Sequence, residues 1–271
     1  MVNRIWQWHF GTGLVDTPNN FGIRGGQPSH PTLLDYLATR FIELDWSVKK
    51  LNREIVLSNT YQLSTEHHAG KAEKDTDNKM FWRMNQRRLE VEPIRDALLA
   101  LGGNLDLTMG GRVNQYKPGR GDRDRFVFNE GATWFRLKDE LYIAPRRSVY
   151  LPVIRNALFP MFSVFDYADA SAPIGNRSST VLATQALLMM NSSFVIEQAE
   201  RFARELLKGD LNSEDRRIET AFIRAYGRPP TRTEIADAKH FLRAMRQQAS
   251  SQTSKNDLVP IDEFAWSKLT H

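Results

Sequence analysis

Histidine, aspartate and arginine carry the ligand-holding chemistry of this chain, because it contains no cysteine. Without thiols, disulfides, thiolate zinc sites, iron–sulfur ligation and a covalently attached haem are excluded within the segment. Six histidines remain as imidazole donors. His67 and His68 are adjacent in a polar stretch and point apart, and His271 is the last residue. His9 and His30 flank one aromatic, glycine-rich stretch, where they could converge with Asp16 or Asp35 as an oxygen-and-imidazole metal site. The competing reading packs His9 among rings and uses His30 to cap a helix. Apart from those two candidate ligands, the residues call for no metal or cofactor.

Familiar catalytic patterns are missing. There is no G-x-S-x-G elbow, no G-x-x-x-x-G-K-[ST] phosphate loop, no H-E-x-x-H and no strand-borne G-x-G-x-x-G. A site built from distant residues stays open. Arg112, Lys117, Arg120, Arg123 and Arg125 make a glycine-rich basic loop over 112–125 that could contact a phosphate backbone or an acidic polysaccharide, although Asp122 and Asp124 interrupt it. The Arg120-Gly121-Asp122 tripeptide is too short to carry an adhesion reading. A net charge of +5 from 37 basic and 32 acidic residues names no partner. Trp6, Trp8, Phe10, Phe21 and Trp46 could stack sugars or bases, or could form core. Gly11, Gly13, Gly22, Gly25 and Gly26 favour core, since they let a loop close over large rings.

The elements that must position these groups read mostly as helices. From Trp6 to the first helix, rings, glycines and prolines are too dense for a regular element, and a compact loop is expected. Pro31 then opens a helix to about Leu44, with Leu33, Leu34, Leu37, Ala38 and Phe41 on one face. Ser47 begins a second, completing a helical hairpin. Residues 64–78 form an exposed loop, and a long helix over Lys79–Leu101 carries a kink at Pro93. Pro93 implies either that kink or a break between two shorter helices, and Arg88, Glu92 and Arg95 have ion-pair spacing. Short β-prone runs between Phe126 and Val153 predict a small hairpin. Helices follow over 180–190, 194–207 and 213–226, the last closed by Gly227. Thr231 and Glu234 form a capping box opening a further helix to about Ala249, and 250–257 is a polar linker.

Several short segments also occur in the order of a known family: FGIRGG, IRDALL, PRRSVY, VFDYAD and NRSSTV, after the aromatic opening WQWHFGTGLVDTPNN. Along nearly its whole length the chain resembles a planctomycete-associated C-terminal domain of unknown function, found in multidomain proteins carrying a cytochrome-c-type module. The resemblance implies an extracytoplasmic or cell-envelope location, an export signal upstream, and haem only in an upstream module. It also implies other domains of the same polypeptide as partners, with a link to complex polysaccharides and their breakdown. By the same resemblance the chain is a fragment, since DEFAWSKLTH stops where relatives continue through an Asn-Glu-Phe motif. Relatives often place a proline and a cysteine near Phe165 and Asp166; this chain has neither directly after them, so no thiol acts there.

The matching segments hold Arg24, Arg95, Asp96, Arg146, Arg147, Asp166 and Arg177. Charges within apolar stretches must pair or reach water. Either they form a buried network fixing the helices, or they line a cleft in which Asp96 or Asp166 acts as acid or base and the arginines, with His30, bind ligand.

The expected fold is mainly α, an irregular multi-helix domain with an aromatic, glycine-rich N-terminal loop and a small β-hairpin insertion. Its 271 residues, 41% hydrophobic, are read as one domain, with a main body over 1–208 and a C-terminal helical part over 213–271. No apolar run approaches the roughly 20 residues of a membrane span. The expected function is an accessory or scaffold domain. The alternatives are a carbohydrate-active hydrolase or redox-linked enzyme and, ranked last, nucleic-acid binding through the 112–125 loop.

Overall fold

In the computed structural model the described residues are 1–110, 144–151, 153, 158–208, 213–252 and 260–271. They are mainly helical, with no strand among them. The chain divides into two compact units, Met1–Arg88 with Ala172–Ser178, and Leu89–Ser171 with Ser179–His271.

The first unit opens with a helix, α1 (Val2–Phe10), where a loop was expected from Trp6. Val2, Ile5, Trp6 and Phe10 recur at helical spacing and are at most 8% exposed, so one buried stripe overrides the unusual composition. Gly11, at φ +89, ends it, and irregular chain follows as expected. Asn3 pins that chain: its amide donates to the Val15 carbonyl at 3.0 Å and accepts from the Val15 N–H at 2.8 Å.

Then come α2 (Pro31–Glu43) and α3 (Val48–Val56), the predicted hairpin. His30 is the N-cap of α2, and the Ser47 hydroxyl accepts from the Lys50 N–H at 3.3 Å. Leu37, Phe41, Leu51 and Ile55 close over the α1 stripe. A four-residue helix, α4 (Ala69–Ala72), interrupts the 64–78 loop.

In the second unit, α5 covers only Val91–Leu101. The long helix predicted from Lys79 is therefore corrected: 79–90 is not helical. Pro93 explains this, because its ring crowds the carbonyl four residues back and its missing N–H is tolerated only in a first turn. Arg88 thus lies outside the helix, and its spacing to Glu92 is not helical. Two short helices, α6 (Pro160–Val164) and α7 (Ala183–Asn191), precede α8 (Ser193–Lys208), α9 (Glu214–Tyr226), α10 (Arg232–Gln252) and α11 (Ile261–Thr270). Val91, Leu151, Met161, Phe162 and Phe165 form one core. A second core joins Phe202 and Leu206 of α8, Ile218 of α9, Leu242 of α10 and Trp266 of α11.

The hairpin expected over Phe126–Val153 is not found where it can be followed. Residues 126–143 lie outside the described residues, as does the 112–125 basic loop. Ser148–Tyr150 is a single 3-10 turn, and Arg146 makes an isolated parallel bridge with Asp106. One backbone bond, from the Asp106 N–H to the Pro145 carbonyl at 2.8 Å, joins this segment to 106, and side chains satisfy more of it. No helix among the described residues is long and apolar enough to cross a membrane.

Candidate functional site

Arg95 lies on the inner face of α5 and is 0% exposed. Its guanidinium donates to the Ala144 carbonyl at 2.6 Å, to the Arg146 carbonyl at 2.9 Å and to the Ser148 hydroxyl at 3.4 Å. It also lies over the Phe194 ring, 5.6 Å from the centroid. Asp96 turns to the same segment: one carboxylate oxygen accepts both the Ser148 N–H and the Ser148 hydroxyl, each at 2.7 Å. That oxygen is 3.9 Å from the Arg95 guanidinium. Burial pulls the Arg95 guanidinium down to about 10, against the opposing pull of Asp96. It therefore stays protonated at neutral pH.

Arg146, 4% exposed, extends the network. It donates to the carbonyls of Thr108 at 3.1 Å and Gly110 at 2.6 Å, and stacks 4.2 Å from the Tyr150 centroid. Bonds from Thr108, helped by Arg146, hold the Asp106 carboxyl below its ordinary value. Arg95 and Asp96 thus fasten 144–148 to α5, and Arg146 fastens 108–110 to that segment.

Asp166 repeats the pattern after α6. Its carboxylate accepts the Thr180 N–H at 2.7 Å and the Thr180 hydroxyl at 2.8 Å. Gln185, 2% exposed, donates to the Val164 carbonyl at 3.0 Å and closes the knot. Asp166 has φ +55, a left-handed conformation that aspartate adopts more readily than most residues.

The remaining candidates are scattered. Arg24 and Arg147 are exposed, and Arg177 is half-buried in the 172–178 segment of the first unit. His9 pairs with Asn52 at 3.1 Å and meets the Tyr61 ring edge-on, while His30 pairs with Ser29 at 3.0 Å and lies against Phe81. Among the described residues no three His, Cys, Asp or Glu side chains gather as a metal site. The five rings separate: Trp6 and Phe10 are buried and stacked at 4.1 Å, whereas Trp8, Phe21 and Trp46 are exposed.

The family pattern described as PSD1, a protein of unknown function (DUF1553), matches residues 1–242. The chain belongs to the DUF1553 family. Comparison of this DUF1553 chain with curated proteins and with solved structures gave no match.

In this DUF1553 chain Arg95, Asp96 and Arg146 converge, and the residues that bring them together are ones the sequence reading did not single out. Ser148 receives Asp96 across 52 positions, and Thr180 receives Asp166 across 14. Their only sequence signal is a hydroxyl residue inside each segment, PRRSVY and NRSSTV, that also holds an arginine.

Proposed function

We propose that this DUF1553 chain is an accessory or scaffold domain of a larger cell-envelope protein, working beside cytochrome-type electron transfer and the breakdown of complex polysaccharides. The family resemblance supports the cellular setting. One observation carries the scaffold reading: each candidate acid or base holds a loop residue through that residue's own N–H and hydroxyl, Asp96 on Ser148 and Asp166 on Thr180. A carboxylate engaged this way fastens backbone.

The test uses Asp96→Asn and Asp166→Asn in the full chain. Asparagine keeps the left-handed tolerance needed at 166, removes the charge and exchanges one acceptor oxygen for an amide donor. Loss of charge-assisted bonds should cost each variant about 1–3 kcal/mol, read as a lower Tm, with no change in reducing-end release from xylan, glucomannan or laminarin. Release by the native chain that Asp166→Asn abolishes at unchanged Tm would make the chain an enzyme.

A further inference from the structure

The turn joining α2 to α3 holds two successive non-glycine residues in left-handed backbone, Asp45 at φ +54 and Trp46 at φ +58. The Ser47 N–H donates to the Leu44 carbonyl at 3.2 Å across them. Positive φ at both central positions is the handedness of a type I′ turn, whose preferred residues are asparagine, aspartate and glycine. Aspartate fits; tryptophan there is an outlier. Little burial compensates, because Trp46 remains 65% exposed. Its ring contact is an edge-on approach to Phe41, 5.5 Å between centroids and 78° between planes.

The turn is nevertheless held firmly. The Trp46 N–H donates to the Phe41 carbonyl at 3.0 Å. Arg40 of α2 grips Glu54 of α3 in a fork, with contacts of 3.0 and 2.7 Å, and Glu43 at 3.0 Å. The residue before the indole, Asp45, is exposed, and its carboxylate makes no hydrogen bond or ion pair within the described residues. An apolar residue that is both strained and exposed, on a rigid mount, marks function more than stability.

We propose that Trp46 and Asp45 form a glycan-binding site, with a pyranose ring stacked on the indole and its hydroxyls donating to the Asp45 carboxylate. The electropositive C–H face of a sugar suits the negative face of an aromatic ring, and an ionised carboxylate offers two acceptor oxygens to neighbouring hydroxyls. A protein partner fits less well. Hot spots sit in dry apolar centres, whereas the residues next to Trp46 in the chain include exposed Glu43, Asp45, Lys49 and Lys50, with Ile42 and Val48 as exposed apolar ones. The site gives the accessory domain a ligand but rests on the turn alone, so it stands whether or not the chain also cleaves sugar.

Affinity electrophoresis of the full chain in native gels containing hydroxyethylcellulose, xylan, glucomannan or laminarin tests this. The native chain should be retarded by at least one polymer. Trp46→Gly should bind that polymer about tenfold more weakly, the loss of one stacked ring, and Trp46→Phe should recover part of it. Trp46→Gly should melt within about 3 °C of the native chain, since relief of the left-handed strain offsets the lost Phe41 contact. Absence of retardation in all four gels overturns the proposal, as does retardation unchanged in Trp46→Gly. A Tm drop near 10 °C would make the ring a structural wedge and also overturn it. Self-association lost in Trp46→Gly would assign the ring to a protein interface instead.

Discussion

Replacing Arg95 by methionine tests the network most directly, because methionine keeps the length of the stem and removes every donor. Two carbonyls, that of buried Arg146 and that of half-buried Ala144, then lose the guanidinium. Each deserted acceptor costs about 1–3 kcal/mol. Part is recovered, since a charge no longer has to be buried: the pull of the guanidinium from its ordinary value down to about 10 corresponds to roughly 3 kcal/mol. Asp96 loses a neighbour at 3.9 Å but keeps both Ser148 bonds. The two acceptors together cost about 2–6 kcal/mol, so the net loss is at most about 3 kcal/mol, equivalent to a Tm lower by up to roughly 10 °C. Arg95→Ala, which adds a cavity, should fall further. Circular dichroism gives the melting temperature, and hydrogen exchange at 148–151 gives the local effect. Unchanged Tm together with unchanged exchange at those amides would refute the claim that Arg95 holds this segment.

Glu234 predicts a pH dependence at the α9–α10 corner. The Arg228 fork, joined by the Thr231 N–H, lowers its carboxyl to about 2 from an ordinary 4.5. A depressed carboxylate stabilises above its unfolded value and loses that effect as pH falls through its folded one. The Tm difference between native chain and Glu234→Gln should therefore be full above pH 4.5 and shrink towards pH 2; a gap constant over that range would contradict it. Gly227 caps α9 at φ +69, and a Cβ there would meet nothing within 4 Å. Gly227→Ala should consequently cost backbone strain alone, about 1 kcal/mol or a Tm lower by roughly 2–4 °C, and an unchanged melt would remove the argument.

Local signals were legible where a short-range device sets the structure. Pro31 and Ser47 mark α2 and α3, and the Thr231–Glu234 capping box forms both of its bonds, at 2.7 and 3.2 Å. The sequence misleads where two local signals compete. Glycine and ring density hid the helical spacing of Val2, Ile5, Trp6 and Phe10, and the apolar pattern beyond Lys79 outweighed the start enforced by Pro93. The charged segments could be chosen from sequence, but not their partners. Ser148 and Thr180 are ordinary hydroxyl residues until folding brings them to Asp96 and Asp166. The same limit applied to the rings, since only tertiary packing separates buried Trp6 from exposed Trp46.

The seven residues Ala172–Ser178 fold with Met1–Arg88, although more than eighty positions separate the two stretches in the chain. Gly175 supplies the carbonyl that the Gln7 side chain reaches at 3.2 Å, and any side chain on Gly175 would overlap the Asn19 amide. A single scissor cut after Arg88 therefore does not liberate an intact half: it amputates a strap from the piece it is meant to free. Cleavage there should yield a peptide that keeps its fold only while the severed remainder stays bound.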